Sequence, residues 1–280
     1  MRYFAMFILT IREAVLRGTL LFYFVVGNCI ILFFAFALGL SPDDPSMITF
    51  FGNPLTPRNL GNINPIEFIL IQVQRSSSSS ILLFGVFAVA GLIPSMLEKG
   101  TVEVYLSKPL SRGALLIARS FGASAGVALN LLYFAIGVWL VFGLKLGVWN
   151  GNFLLSFVAV CASFLLFFSI VAIAGVITKS AGFSIMLAFL YTFFSSALES
   201  REMFLFKIWG NETYHSALDV LYYITPQLSS MLENSSRIIG NLPIGPNANQ
   251  PFDPLPFVYS LLSASALYAL SIRYFSKQDY

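Results

Sequence analysis

Six long apolar stretches constrain the fold of this chain more than any other feature of its sequence. Each is close to the length of about 20 residues that an α-helix needs to cross a hydrocarbon layer roughly 30 Å thick. In the bilayer core, the backbone N–H and C=O groups of a spanning segment must form their hydrogen bonds within that segment. Each stretch therefore predicts a helix. The predicted spans are residues 19–40, 77–96, 120–143, 152–177, 181–198 and 255–274.

The composition excludes a soluble globular domain. Hydrophobic residues make up 57% of the 280 residues and charged residues only 10%, whereas soluble domains have about 45–50% and about 25%. The sequence therefore predicts an all-α polytopic membrane protein that forms a single transmembrane domain over residues 1–280.

Residues 1–17 differ from the spans because they mix charged and apolar residues at helical spacing. Most of their apolar side chains fall on one helical face, whereas Arg12, Glu13 and Arg17 fall off it, together with Thr10. This pattern predicts an amphipathic helix in the plane of the membrane interface. The same charges interrupt the apolar run too early for a cleaved signal peptide.

The basic residues predict how the spans are oriented. Six spans put both termini on one side of the membrane. Ten Lys and Arg residues fall on that side and six on the other, although the loops of the second side are longer. The positive-inside rule assigns the richer side to the cytoplasm. Both termini, and the segment between spans two and three, are therefore predicted to be cytoplasmic.

Two further segments predict helices outside the six apolar cores. Serines 76–80 are flanked closely by apolar residues. Because serine hydroxyls can bond to their own helix backbone, we expect the outer end of a long second helix there. The stretch 199–254 clusters apolar residues on either side of Pro226, which predicts short helices on or in the outer leaflet. Its last part, 240–254, is rich in Pro, Gly and Asn and predicts a connector.

Residues 98–112, which we call the coupling segment, form a polar stretch between the second and third spans. Gly100 can break or turn a helix, and Pro109 suits a helix end or a first turn. Tyr105 and Leu106 lie between charges of both signs and provide apolar surface for a partner to cover. From these residues alone, an ordinary cytoplasmic loop and a docking element both stay open.

The sequence has no evident catalytic motif. It contains no G-x-x-x-x-G-K-[ST] phosphate-binding loop. The predicted spans have no central ionisable residue, which proton relays and ion pumps require. Cys29 and Cys161 predict no disulfide framework, and His215 has no Cys or His neighbour. We therefore expect a non-catalytic chain without its own cofactor or metal, driven from outside.

Two segments resemble ABC-2 type permeases, the transmembrane subunits of ATP-binding-cassette exporters. The coupling segment, EKGTVEVYLSKPLSR, is similar to the family's E-x-G-T/S start and L-S-x-P-L-S/T-R end. TIREAVLRG at 10–18 is similar to its N-terminal T-x-R-E-x-x-R. The resemblance implies a permease of six transmembrane helices, with a cytoplasmic coupling helix between helices two and three. The coupling residues that it implies are Glu98, Gly100, Thr101, Glu103, Tyr105, Leu106, Lys108, Pro109, Ser111 and Arg112.

The resemblance also implies partners and a location. An ABC ATPase subunit would dock on the coupling segment and bind ATP and Mg²⁺. A second permease chain, either a copy or a paralogue, would complete the pathway. The surroundings would be the lipid bilayer of a bacterial cytoplasmic (inner) membrane. A periplasmic or extracellular subunit is a further candidate partner, and no nucleic acid is expected.

Three alternatives stay open. Some members of the same family are thought to pass mechanical work to an extracytoplasmic partner without moving a solute, such as permeases that serve copper-enzyme maturation. The chain could instead be an unrelated membrane scaffold or enzyme, with the coupling segment as a plain loop. It could also be a passive channel, although no charged ring or filter-like sequence is visible. If a solute is moved, a pathway without fixed charges suits lipids, drugs or hydrophobic peptides better than small ions.

Overall fold

The computed structural model describes residues 2–16, 18–40, 48–54, 65–98, 100–101, 111–240 and 250–278. Within these ranges, six helices are long and apolar enough to cross a membrane, which confirms the predicted all-α polytopic fold. The long helices are α2 (Thr19–Ala37), α3 (Pro65–Val89) continued by α4 (Leu92–Met96), α5 (Arg112–Leu146), α6 (Gly151–Thr178), α7 (Ala181–Glu199) and α11 (Leu255–Ser276). The shorter ones are α1 (Arg2–Leu16), α8 (Leu205–Ile208), α9 (Glu212–Ile224) and α10 (Leu228–Arg237).

The second span confirms the interpretation of the serine run. Helix α3 begins at Pro65, well before the predicted embedded part, so the serines lie inside it. Ser80 Oγ donates to the Ser76 carbonyl at 3.1 Å, which is the backbone bonding predicted for these residues. The span breaks at residues 90–91, between α3 and α4. Pro94 explains the break, because it has no N–H and its ring clashes with the carbonyl four residues earlier.

A short antiparallel sheet follows α2, in a region where the sequence predicted only the end of a span and a polar loop. Its strands are β1 (Leu38–Leu40), β2 (Ile48–Phe50) and β3 (Asn53–Pro54), in the order β1-β2-β3. Phe51 and Gly52 join β2 to β3 with φ values of 50° and 79°, as a tight two-residue hairpin requires. Lys145 Nζ donates to the Leu38 carbonyl at 3.0 Å and ties the sheet to the end of α5.

Helix α6 lies at the centre of the bundle, where it packs against α5, α7, α10 and α11. Its Phe153 and Phe157 are fully buried, and Phe157 contacts Phe134 of α5 with 5.8 Å between ring centroids. Helices α2, α7 and α11 are peripheral and expose most of their apolar residues. Their outward faces suit contact with lipid or with another membrane chain.

The predicted short helices between the last two spans are present as α8, α9 and α10, and they differ in burial. Helix α9 has no buried residue, whereas α10 buries Leu228, Met231 and Leu232. Helix α10 packs against α3, α6 and α7, so it belongs to the bundle itself. Most of the predicted connector, residues 241–249, lies outside the described residues.

Contacts between helix termini define two ends of the bundle. Thr19 Oγ1, at the start of α2, donates to the Ala88 carbonyl near the end of α3 at 2.7 Å. We call this end, which also carries Glu98 and Ser111, the inner end. The opposite end, which carries the hairpin, Lys145 and helices α8–α10, is the outer end.

Candidate functional site

The structure describes half of the predicted coupling residues. Glu98, Gly100 and Thr101 lie at the start of the coupling segment, and Ser111 and Arg112 lie at its end. Glu103, Tyr105, Leu106, Lys108 and Pro109 lie outside the described residues, as does Arg17 of the predicted interfacial helix.

The coupling segment begins where α4 ends. Helix α4 is buried along its whole length, whereas Glu98 is exposed two residues after it. Gly100 has a φ of 85°, a left-handed conformation that glycine adopts without steric cost. The Thr101 amide donates to the Glu98 carbonyl across this turn at 3.1 Å. Gly100 therefore turns the chain at the start of the coupling segment.

The segment ends at two capping interactions. Ser111 Oγ accepts a bond from the Ala114 amide at 3.3 Å and caps the N-terminus of α5. The Arg112 guanidinium donates to the carbonyls of Phe275 and Ser276 at 3.3 and 3.2 Å, and also to Gln278. A cation at these carbonyls complements the C-terminal dipole of α11. Arg112 thus links the end of the coupling segment to the last span, a contact that sequence analysis did not anticipate.

A buried arginine joins the helices on both sides of the segment. Arg119 of α5 is 1% exposed. Its guanidinium contacts both carboxylate oxygens of Glu13 in α1, at 2.6 and 2.9 Å. Arg119 Nε donates to the Leu92 carbonyl of α4 at 3.1 Å, and Nη2 lies 3.5 Å from Ser95 Oγ. We call this set, Arg119 with Glu13, Leu92 and Ser95, the arginine node.

The arginine node neutralises the charge of Arg119 and gives its remaining N–H donors hydrogen-bond acceptors. A buried arginine is tolerated when a carboxylate pairs with it in bidentate geometry and when its other donors find acceptors. The Leu92 carbonyl also accepts a hydrogen bond from the Ser95 hydroxyl at 3.1 Å, so Ser95 and Arg119 share this acceptor.

Helix α1 packs on α5, a contact that the sequence did not predict. From Met6 onward, where side chains are described, the buried ones are Met6, Thr10 and Ala14, spaced four residues apart. Thr10, which the sequence placed off the apolar face, is fully buried because its hydroxyl donates to the Met6 carbonyl at 2.9 Å. Once that hydroxyl is satisfied, the threonine can be buried without a large cost. Arg12 is exposed, as the interfacial prediction requires.

Two glycines allow close helix contacts at the inner end. A Cβ on Gly122 of α5 would lie 2.8 Å from Thr10 Cβ and 3.1 Å from the Phe7 carbonyl oxygen. Helix α1 therefore approaches α5 closely at Gly122. Gly175 of α6 has Ile93 and Pro94 of α4 at 3.3 Å from the same position. Helix α4 is therefore held between α5 and α6.

Sequence reasoning counted Arg119 and Glu13 among the inner charges but did not pair them. They are separated by 106 positions, so no local pattern brings them together. One available signal was the position of Arg119, seven residues after Arg112 in a stretch that is otherwise apolar or small. The helix has 35 residues and is roughly 50 Å long. Its first turns can therefore extend beyond the hydrocarbon layer.

A second cluster of charged side chains lies at the outer end. We call it the outer cluster: Arg75 of α3, Glu199 of α7, and Glu233 and Arg237 of α10. Arg237 Nη2 lies 3.1 Å and Arg75 Nη2 3.6 Å from the same oxygen of Glu233. The carboxyl groups of Glu199 and Glu233 hydrogen-bond to each other. Sequence analysis placed both glutamates at the outer side but did not bring them together.

The pKa of Glu233 reflects opposing influences. Burial acts to raise it, but the hydrogen bonds from Glu199 and Arg237 and the charges of Arg237 and Arg75 outweigh burial. The pKa of Glu233 therefore lies below its ordinary value. Both arginines lie within ion-pair distance of Glu233 and favour its charged form.

Neither charged site has the composition of a metal centre. Within the described ranges, no group of three or more His, Cys, Asp or Glu side chains could hold a metal ion. His215 instead uses its Nε2 to contact the carbonyls of Phe206 and Trp209, at 3.2 and 3.0 Å. The chemistry that these sites offer is therefore ion pairing and hydrogen bonding between helices.

Comparison with known proteins assigns the chain to a family. A model of the ABC-2 family transporter proteins matches residues 53–280, which include the coupling segment and five of the six spans. A comparison with curated proteins found no match. The match accounts for the resemblance in the coupling segment and identifies a multi-pass membrane component of a transport system. The chain belongs to the ABC-2 family of transporter proteins and is a permease subunit of an ABC transporter.

Proposed function

We propose that this permease is an exporter subunit driven by a separate ATPase that docks on residues 98–112. The observation that carries the proposal is the arginine node. It joins α4, which leads into the coupling segment, to α5, which leaves it, and also to α1. A docking element needs such a connection if its displacement is to reach the spans.

Force on the coupling segment would act on two helices that the node holds together. Helix α5 is long enough to carry a displacement from the inner end to Lys145 at the outer end. Arg112 would pass part of the same displacement to α11. ATP binding by the partner would then favour one of two arrangements of these helices, which requires no chemistry in the permease.

The surroundings of the chain follow from the same proposal. Both termini and the coupling segment would face the cytoplasm of a bacterial cell, and residues 199–254 would face outward. ATP and Mg²⁺ would bind the ATPase partner. The exposed apolar faces of α2, α7 and α11 would be covered partly by lipid and partly by a second permease chain, either a copy or a paralogue.

The proposal can be tested by recovery of the ATPase on the affinity-tagged permease from its native membrane. The wild-type chain should retain an ATP-hydrolysing subunit with a phosphate-binding loop. Glu103→Lys should lose it, because truncating or reversing a shielded interfacial charge typically costs about 2–5 kcal/mol. Asp43→Lys, on the opposite side of the membrane in this topology, is the matched control and should retain the subunit.

If Glu103→Lys and Asp43→Lys recover equal amounts of the ATPase, Glu103 does not contribute to the interface. If Glu98→Lys and Arg112→Glu also retained it, the coupling segment would be a plain loop. Single cysteines at Ser111 and Ser235, introduced after Cys29 and Cys161 are replaced, provide an independent check of topology. They should react with an impermeant label from opposite sides of the membrane.

A further inference from the structure

The β-hairpin at the outer end exposes an aromatic ring in a backbone conformation that this residue type disfavours. Phe51 occupies the first position of the two-residue turn with a φ of 50°. Positive φ is unfavourable for a bulky side chain, and Asn, Asp or Gly usually occupy this turn position. Phe51 is also 60% exposed, so burial within the bundle does not explain its presence. A strained residue that is retained on a surface points to a role for its side chain there.

The turn folds back along α2, toward the membrane. The Phe51 amide donates to the Ala37 carbonyl at 2.7 Å. The centroid of the Phe51 ring lies 5.8 Å from that of the Phe33 ring. Phe33 is about one turn before the end of α2 at Ala37, roughly 6 Å inside the span. The exposed ring of Phe51 therefore lies beside the last turns of a membrane span.

The length of α2 places this contact at the outer boundary of the hydrocarbon. The helix has 19 residues and is roughly 28 Å long, which matches a hydrocarbon layer about 30 Å thick. The sheet begins directly after it, at Leu38. Because open sheet edges are not tolerated where they face hydrocarbon, the strands belong at the level of the headgroups. A side chain that points back along α2 can still reach the acyl chains.

The exposed apolar surface of α2 continues onto the hairpin. Phe33 and Phe36 lie on one side of α2 and are 48% and 79% exposed. The Phe33 ring contacts the rings of both Phe50 and Phe51, with centroids 5.9 and 5.8 Å away. Residues 18–40 and 48–54 contain no charged side chain. Lipid that covers the outer part of α2 would therefore also meet Phe51.

Two side chains at the neighbouring end of α5 mark the membrane–water interface. Lys145 Nζ donates to the Leu38 carbonyl at the start of β1, at 3.0 Å. Trp149 is 51% exposed and packs edge-on against Trp139, with 4.6 Å between ring centroids. Lysine and tryptophan near the end of a span are typical of this interface, where one part of the side chain is apolar and the other polar. Both residues therefore support placing the sheet at headgroup level.

We propose that the hairpin is a membrane anchor, in which the Phe51 ring inserts among the acyl chains of the outer leaflet, directly beneath the headgroups. The partner is a lipid surface, and the contact is apolar, since residues 48–54 have no charged side chain. Because Lys145 ties β1 to α5, the anchor would fix the depth of the outer ends of both α2 and α5. It requires neither the ATPase nor a transported solute, so its failure would leave the coupling proposal untouched.

Fluorescence quenching of the full-length chain in lipid nanodiscs tests the anchor. The reporter is Phe51→Trp in a chain whose Trp139, Trp149 and Trp209 are replaced by Phe. Lipid brominated near the headgroup should quench the emission of this tryptophan more strongly than lipid brominated at the ends of the acyl chains. Aqueous iodide should quench it weakly.

Two matched reporters in the same background calibrate the measurement. Phe36→Trp, on the exposed side of α2, should respond to brominated lipid. Glu202→Trp, in an exposed turn at the outer end, should respond to iodide. Quenching of Phe51→Trp by iodide but not by brominated lipid would place the ring in water and overturn the proposal. A Phe51→Trp reporter that responds to neither quencher would be covered by protein, which would overturn it as well.

A second measurement covers the case in which Phe51→Trp does not fold. 4-Azidophenylalanine in place of Phe51 keeps the ring and most of its shape. On irradiation in the same nanodiscs it should form a phospholipid adduct that is detected as an added mass on the chain. An adduct with a second permease chain instead of lipid would make the hairpin a protein interface and overturn the anchor, as would the absence of a lipid adduct.

Discussion

The arginine node and the outer cluster both pair arginine with glutamate between helices, yet they differ in access to water. Arg119 is 1% exposed and has one bidentate carboxylate. Arg75 is 32% exposed, and its Glu233 contact is 3.6 Å long and shared with Arg237. The inner site is a closed junction in which the arginine contacts a carboxylate, a backbone carbonyl and a hydroxyl. The outer site is open, with duplicated charges.

The difference indicates what each site can do. A pair whose arginine is fully buried holds its helices in one geometry, because that arginine left alone would be an uncompensated charge. That property suits a junction that must transmit displacement. A partly exposed cluster is screened by water and tolerates rearrangement. The two sites should therefore differ in how strongly the chain responds to substitutions in them.

The largest effect is expected when the node loses its carboxylate. Glu13→Leu would leave Arg119 buried without a counterion, and breaking a buried pair in this way costs about 3–5 kcal/mol. Thermal unfolding in detergent should therefore shift strongly downward, whereas exposed Glu202→Leu should change little. The double variant Glu13→Leu with Arg119→Met should recover part of the loss, since it removes the unpaired charge. Equal destabilisation by Glu13→Leu and Glu202→Leu would contradict the closed-junction account.

A smaller effect is expected when a methyl group is added at the close contact between α1 and α5. Gly122→Ala would place a Cβ 2.8 Å from Thr10 and 3.1 Å from a backbone carbonyl, and such overpacking typically costs about 1–3 kcal/mol. Gly182→Ala on α7 is the control, because its Cβ would meet only Ser180 Oγ at 3.9 Å. The control should be neutral or slightly stabilising, since alanine favours helices. Thermal unfolding of both variants measures the contrast, and a stabilising Gly122→Ala would show that α1 does not pack as described.

The smallest effect is expected from acid at the outer cluster. The pKa of Glu233 is lowered in the folded chain. Its ionised form therefore contributes stability that is fully present above the ordinary carboxyl pKa and is lost as pH falls through the lowered value. The difference in unfolding temperature between wild type and Glu233→Gln should therefore shrink as the pH falls from the ordinary carboxyl pKa through the lowered pKa of Glu233. A difference that grows as pH falls would contradict a lowered pKa of Glu233 in the folded chain.

The spans were predictable because their signal is local. About 20 apolar residues in sequence define a membrane helix whatever its neighbours, and the observed helices α6, α7 and α11 begin or end within two residues of the predicted bounds. Gly100 and the serines of α3 were predictable for the same reason, because their conformations depend on adjacent backbone. The amphipathic character of α1 was predictable, but its buried face depends on contacts with α5.

The sites were not predictable because they depend on contacts between distant segments. Glu13 and Arg119, or Arg75 and Glu233, meet only after the helices have packed. The strand Leu38–Leu40 was included in the first span because its composition is apolar, and only pairing with Ile48–Phe50 shows that it is a strand. The insertion of α10 into the bundle likewise required tertiary contacts. The coupling role of Glu98, Glu103 and Arg112 remains a prediction.

The most direct test of the account is permease-dependent ATP hydrolysis by the reconstituted complex with Glu13→Gln. This variant keeps the shape of the side chain but removes the charge that pairs with Arg119. We expect the ATPase to remain associated, because the coupling segment is intact, and its hydrolysis rate to fall to that of the isolated ATPase. Exposed Glu202→Gln should hydrolyse ATP at the wild-type rate. A Glu13→Gln complex that also hydrolyses ATP at the wild-type rate would contradict the claim that the arginine node couples the ATPase to the spans.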